Sequence, residues 1–173
     1  SGSNKRPDKY GGSLENRVRL PLEVAKAVIE VWGGDRVGYR ISPHNTTHSM
    51  SDANPRETFS YFARELNKVG MGYLHLIEAI GGREGFVPPE ARLGPALRRI
   101  FEKTFILNGG YDLKSGNEAI ASGEADLIAF GIPFLANPDL PERFRKHAPL
   151  NKPDVSTFYV GGAKGYTDYP SLI

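Results

Sequence analysis

The chain has 173 residues, 39% hydrophobic and 24% charged, which is the balance of a folded globular protein rather than a disordered one. A net charge of +2 gives no electrostatic reason to bind nucleic acid or an acidic membrane surface. With no cysteine there is no disulfide, no thiolate metal site and no cysteine nucleophile, which fits a reducing, cytoplasmic setting. Residues 1–16 read as a polar leading loop without the apolar core of a signal peptide, and no apolar run is long enough for a membrane span.

Ser13, followed by Glu15 and Asn16, is an N-terminal helix signal for Arg17–Trp32. There Val18, Leu22, Ala25, Val28, Ile29 and Trp32 recur at helical spacing until Gly33-Gly34. Val37–Ile41 reads as a strand running into the loop Ser42-Pro43-His44-Asn45. Asn54-Pro55 opens a second helix whose apolar face is Phe59, Phe62, Ala63, Leu66 and Val69, closed by Gly70. Tyr73–Ile77 is a second strand, followed by a loop over Glu78–Pro89. A third helix over Pro89–Glu102 must break or restart at Gly94-Pro95. Thr104–Leu107 is a third strand, Ser115–Ser122 a short helix, and Asp126–Phe130 a fourth strand. Asn137-Pro138-Asp139 reads as a cap opening a last helix to Lys146, and residues 149–173 form a tail without periodicity.

The order is one helix followed by four strand–helix units over residues 17–148, within a single domain. Strict alternation predicts a parallel sheet flanked by helices. Two successive apolar strands break off into glycine, at Asn108-Gly109-Gly110 and at Gly131. That is how the last turns of a (β/α)8 barrel present backbone N–H groups to a phosphate. A complete barrel needs about 250 residues, so the expected fold is the C-terminal half of one, with four parallel strands.

Few side chains stand out as chemistry. Arg40 closes the first strand on the side where barrels place active sites; an ordinary surface ion pair is the competing reading. His44 and His48 lie in a proline-containing loop without clustered carboxylates and read as polar loop residues, so no metal site is expected. His75, between Leu74 and Leu76, reads as a buried or half-buried strand histidine with its hydrogen bonds satisfied. Glu78 either faces the pocket or pairs with Arg83. No nucleophile elbow, Walker loop or dinucleotide fingerprint is present, and no carboxylates pair as an acid/base couple.

Longer strings carry a resemblance. Residues 4–17 (Asn-Lys-Arg-Pro-Asp-Lys-Tyr-Gly-Gly-Ser-Leu-Glu-Asn-Arg), Tyr39-Arg40-Ile41-Ser42-Pro43 and Asn108-Gly109-Gly110-Tyr111-Asp112 resemble the Old Yellow Enzyme family. So do Phe130–Leu140 and the tail strings Thr157-Phe158-Tyr159 and Gly165–Pro170, all in family order. The resemblance implies an FMN-dependent oxidoreductase that reduces the C=C bond of activated alkenes (enones, maleimides, nitro compounds), with NADPH or NADH as hydride donor.

By that resemblance Arg40 lies beside the flavin pyrimidine end, and Asn108, Gly109 and Gly110 form the first phosphate turn. Gly131 and Ile132 form the second, and Tyr159 lies over the substrate pocket. Members commonly carry arginine where this chain has Ile132; losing that charge-assisted contact weakens phosphate binding by roughly 1.5–3 kcal/mol. The residues that grip the substrate carbonyl and the tyrosine that protonates the substrate belong to the family's first four strands. No catalytic residue is therefore assigned in this chain. The expected partners are a small activated alkene and a complementary N-terminal half-barrel, or else self-association through open strand edges. The alternative is a catalytically inactive fragment or interaction module that at most binds flavin weakly.

Overall fold

The computed structural model describes residues 1–80 and 86–172. The chain packs as two compact units, Ser1–Ala129 and Phe130–Ile173.

The first unit opens with helix α1, Leu14–Trp32. The Ser13 side chain accepts from the Asn16 N–H, Glu15 faces the positive end of the helix, and Gly33 at φ 78° closes it. Strand β1, Gly38–Ile41, follows, and then helix α2, Pro55–Lys68, capped as expected by the Asn54 side chain on the Glu57 N–H. Strand β2 is Tyr73–Ile77. The expected break at Gly94-Pro95 is present: a short 3-10 turn at Pro89–Ala91 is separate from helix α3, Gly94–Ile100. Strand β3 is Thr104–Asn108 and helix α4 is Leu113–Ala121. Helix α4 begins two residues before the expected start because Asp112 and Ser115 form a capping box. Strand β4 is confined to Leu127–Ala129, shorter than the expected Asp126–Phe130.

The four strands form one parallel sheet in the order β1-β2-β3-β4. Strand alternation splits its two faces. Leu74, Leu76, Phe105 and Leu107 point to the side covered by helices, where they join Val18, Ala25, Phe62, Leu66 and Leu97 in one core. The Tyr39 ring meets Phe62 edge-on at 4.9 Å. Full burial stabilises by about 1.5–3 kcal/mol for each large apolar side chain, so this face dominates the stability of the unit. The opposite face carries the register row Arg40, His75, Ile106 and Leu127, all half-buried or exposed. At the N-terminal end of the sheet Asp126 accepts from the Phe105 N–H at 2.7 Å and from Arg98 at 2.7 and 2.8 Å.

The second unit contains two short helices, α5 at Ile132–Ala136 and α6 at Leu140–Arg145, and a 3-10 turn at Val155–Thr157. Asn137 does not open the last helix as expected. It lies at the end of α5, fully buried, with its amide donating to Pro133 O and its Oδ1 accepting from the Asn151 N–H. Asp139 is the residue flanking α6. The tail lacks periodicity because side chains hold it instead of a backbone ladder. Buried Arg143 donates to Asp139 Oδ1, Pro149 O and Pro170 O, and Asp139 Oδ2 accepts from the Leu172 N–H.

Candidate functional site

The C-terminal ends of parallel strands are where barrel and open α/β folds assemble their sites. In the first unit that end brings together Arg40 and the loop after β1, His75 of β2 with Glu78 just beyond it, and the turn after β3.

Arg40 is exposed on the face of the sheet away from the helices. It forms no ion pair among the described residues. Its register partner is His75, which is half-buried, its Nε2 buried without a hydrogen-bond partner among the described residues. Burial, and then the neighbouring Arg40 charge, push the imidazole below its ordinary pKa. The exposed Arg40 guanidinium, a fixed cation, suits an electron-rich or anionic planar ligand.

Two strands further on, about 10 Å at ordinary strand spacing, β3 ends in Asn108-Gly109-Gly110. Gly109 has φ 132° and Gly110 φ 97°, both in the region that favours glycine. A Cβ at Gly109 would also run into the Glu78 carbonyl. The Asn108 amide donates to Ala129 O at 2.6 Å, which ties the ends of β3 and β4.

Glu78 is 5% exposed, and spacing alone did not reveal its role. Its Oε1 accepts from the Leu93 N–H at 2.7 Å and its Oε2 from the Gly94 N–H at 2.9 Å, at the start of α3. His44 Nε2 lies 3.2 Å from Glu78 Oε1, close but not aligned as a hydrogen bond. Arg83, the partner the sequence suggested for Glu78, lies outside the described residues. Glu78 lines two cavities. One of about 330 Å³ is lined by Ser42, His44, Asn45 and Ile77; one of about 160 Å³ is lined by Asn108, Tyr111, Arg92 and Glu124. Burial, and then Glu124, raise the Tyr111 phenol above its ordinary pKa. His48 takes a positive φ in its loop, and no cluster of metal-ligating side chains occurs among the described residues.

In the second unit Gly131 caps α5, and Ile132 is its first residue. Gly131 has φ −92°, and nothing lies within 4 Å of where a Cβ would stand. Neither backbone nor neighbour requires glycine there, and the space beside it is open. Tyr159 is 97% exposed at φ 60°, its N–H donating to the Tyr166 hydroxyl.

The sequence profile of the NADH:flavin oxidoreductase / NADH oxidase family matches residues 1–151. 12-Oxophytodienoate reductase 2 of Arabidopsis thaliana is 47% identical over 170 residues, 98% of this chain and 46% of that protein. Putative 12-oxophytodienoate reductase 11 of Oryza sativa subsp. japonica is 48% identical over 172 residues, again 98% of this chain and 46% of that protein. Among solved structures, morphinone reductase superposes with a TM-score of 0.91 at 47% identity, over 99% of this chain and 46% of that one. The old yellow enzyme homologue from Zymomonas mobilis superposes with a TM-score of 0.92 at 38% identity, over 99% of this chain and 48% of that one. The chain spans about half the length of the relatives it matches, and its four parallel strands are half of the eight with which a (β/α)8 barrel closes. By the match over residues 1–151, the chain belongs to the NADH:flavin oxidoreductase / NADH oxidase family, that of Old Yellow Enzyme.

Proposed function

We propose that this chain is the flavin-holding half of an FMN-dependent ene-reductase. The observation that carries the proposal is the placement, at one end of one sheet, of an exposed Arg40 guanidinium and a positive-φ glycine turn at Gly109-Gly110. When bound, FMN would supply the hydride-transfer chemistry between NADPH or NADH and the β-carbon of an enone, maleimide or nitroalkene.

The side chains of this chain bind and orient. Arg40 supplies a fixed positive charge for the pyrimidine end of the flavin, favouring its reduced, anionic form. The backbone N–H groups of the Asn108-Gly109-Gly110 turn and of Gly131-Ile132 are assigned to the phosphate, where glycine leaves room for close approach. Ile132 contributes its N–H without charge, so the phosphate is held more weakly than by an arginine. Tyr159 is assigned to the substrate pocket. The groups that grip and protonate the alkene come from a complementary half, and the setting is cytoplasmic.

A second reading, an inert fragment that binds flavin weakly, draws on the exposed Tyr73 and Leu127 on the sheet face opposite the core. Mixing the chain with the N-terminal half of a relative, adding FMN, and following NADPH oxidation with N-ethylmaleimide separates the two. Turnover that requires both halves supports the proposal. A mixed complex that binds FMN without turnover leaves the inert fragment.

A further inference from the structure

We infer that Glu78 is a positioning residue for the phosphate turn, acting through the backbone of β2. The inference rests on the reading of Gly109-Gly110 as that turn. A buried carboxylate is costly unless its oxygens are hydrogen-bonded. Both oxygens of Glu78 are bonded, one to each of two consecutive amides, Leu93 and Gly94. This two-point grip fixes the end of β2 against the start of α3. The main chain of the same residue makes the other half of the clamp. The Glu78 N–H donates to Asn108 O at 2.9 Å, and the Ile80 N–H donates to Gly109 O at 2.7 Å. The Glu78 carbonyl occupies the space a side chain at position 109 would take. From there the Asn108 amide passes the restraint to β4 through Ala129 O. The conformation of Gly109 is thus set from outside its own turn, by a residue on the neighbouring strand whose carboxylate is anchored on a third element.

Two substitutions test this on the chain as it stands. Glu78→Gln keeps the shape but leaves one acceptor oxygen and turns an N–H toward an N–H donor. Gly94→Ala leaves Glu78 intact, places a methyl 3.3 Å from its Oε2, and improves helix propensity, so it displaces the carboxylate without weakening α3. FMN and riboflavin, which differ by the phosphate, are titrated against each variant, and amide hydrogen exchange is followed without flavin. The expected result for Glu78→Gln is an FMN affinity lowered about tenfold with riboflavin affinity unchanged. The Glu78 and Ile80 amides, which the carboxylate does not touch, should exchange faster while Leu66 of the core does not. Gly94→Ala should shift the same readouts in the same direction by less.

Retention of the wild-type preference for FMN, with unchanged exchange at residues 78 and 80, overturns the inference and leaves the phosphate-turn reading intact. An equal fall in both affinities also overturns it, because that marks a purely structural residue. Equal binding of FMN and riboflavin by the unsubstituted chain defeats the phosphate-turn reading itself, and the inference with it.

Discussion

Gly109 and Gly131 occupy similar places in the sequence, each just past an apolar strand, yet their surroundings differ. At Gly109 the backbone sits at φ 132° and a side chain would meet the Glu78 carbonyl. Gly109→Ala should therefore cost more than about 1–3 kcal/mol in urea unfolding, the worth of one strained residue, with steric conflict added. At Gly131 φ is −92° and the space is open, so Gly131→Ala should leave stability within about 0.5 kcal/mol. If the proposed assignment of Gly131 to the phosphate holds, the same substitution weakens FMN binding. A variant folded like the parent with unaltered FMN affinity would remove Gly131 from the site. Arg40 and His75 give a second test at this scale. With its pKa lowered by burial and by Arg40, the folded-state imidazole binds its proton less readily than the unfolded one. Its contribution to stability is present above about pH 6.5 and is lost as pH falls through the lowered folded-state value. Arg40→Met should raise the His75 pKa in an NMR titration while leaving it below the ordinary value, since burial remains.

At the scale of elements, stability is set where strands and helices begin. The Asp126 carboxyl is opposed by burial, but the Phe105 N–H and Arg98 outweigh that and hold it below the usual carboxylate range. Its stabilisation is therefore present above the unfolded carboxyl value near 4 and is lost as pH falls toward the lower folded value. Asp126→Asn should cost about 1 kcal/mol at neutral pH, a modest figure because the pair is partly exposed, and should flatten acid unfolding in that window. Asp112→Ala, which removes the α4 capping box, should likewise cost about 1 kcal/mol. Most of these elements were legible in the sequence because their signals are local. Ser13 and Asn54 act as caps through their own side chains, the Gly94-Pro95 break follows from proline geometry, and β2 stands as read because its alternation is complete. Helix α5 was not legible: at five residues it is too short for periodicity. The true role of Asn137 depends on Asn151, and that of Glu78 on Leu93 and Gly94; such partners distant along the chain leave no spacing signal.

At the scale of the whole molecule, β1 and β4 are the outer strands of an open sheet. A second apolar surface runs along α1, where Leu20, Val24, Val28, Val31 and Trp32 follow helical spacing yet are exposed. Val28 and Trp32 belong to the apolar residues that recur at helical spacing along this helix. Only a stripe that includes Val18 and Ala25 is buried, because burial depends on which neighbours are present and not on periodicity alone. Such surfaces favour association, so light scattering should find the chain above monomer mass, and the N-terminal half of a relative should convert it to a one-to-one complex. A stable monomer unchanged by that half would contradict the half-barrel account of these surfaces. The claim on which the proposed function turns is that the chain binds FMN, and flavin fluorescence during titration of the purified, folded chain measures it most directly. Saturable quenching, diminished by Arg40→Met, is the result expected. Undiminished flavin fluorescence at tens of micromolar FMN would contradict it.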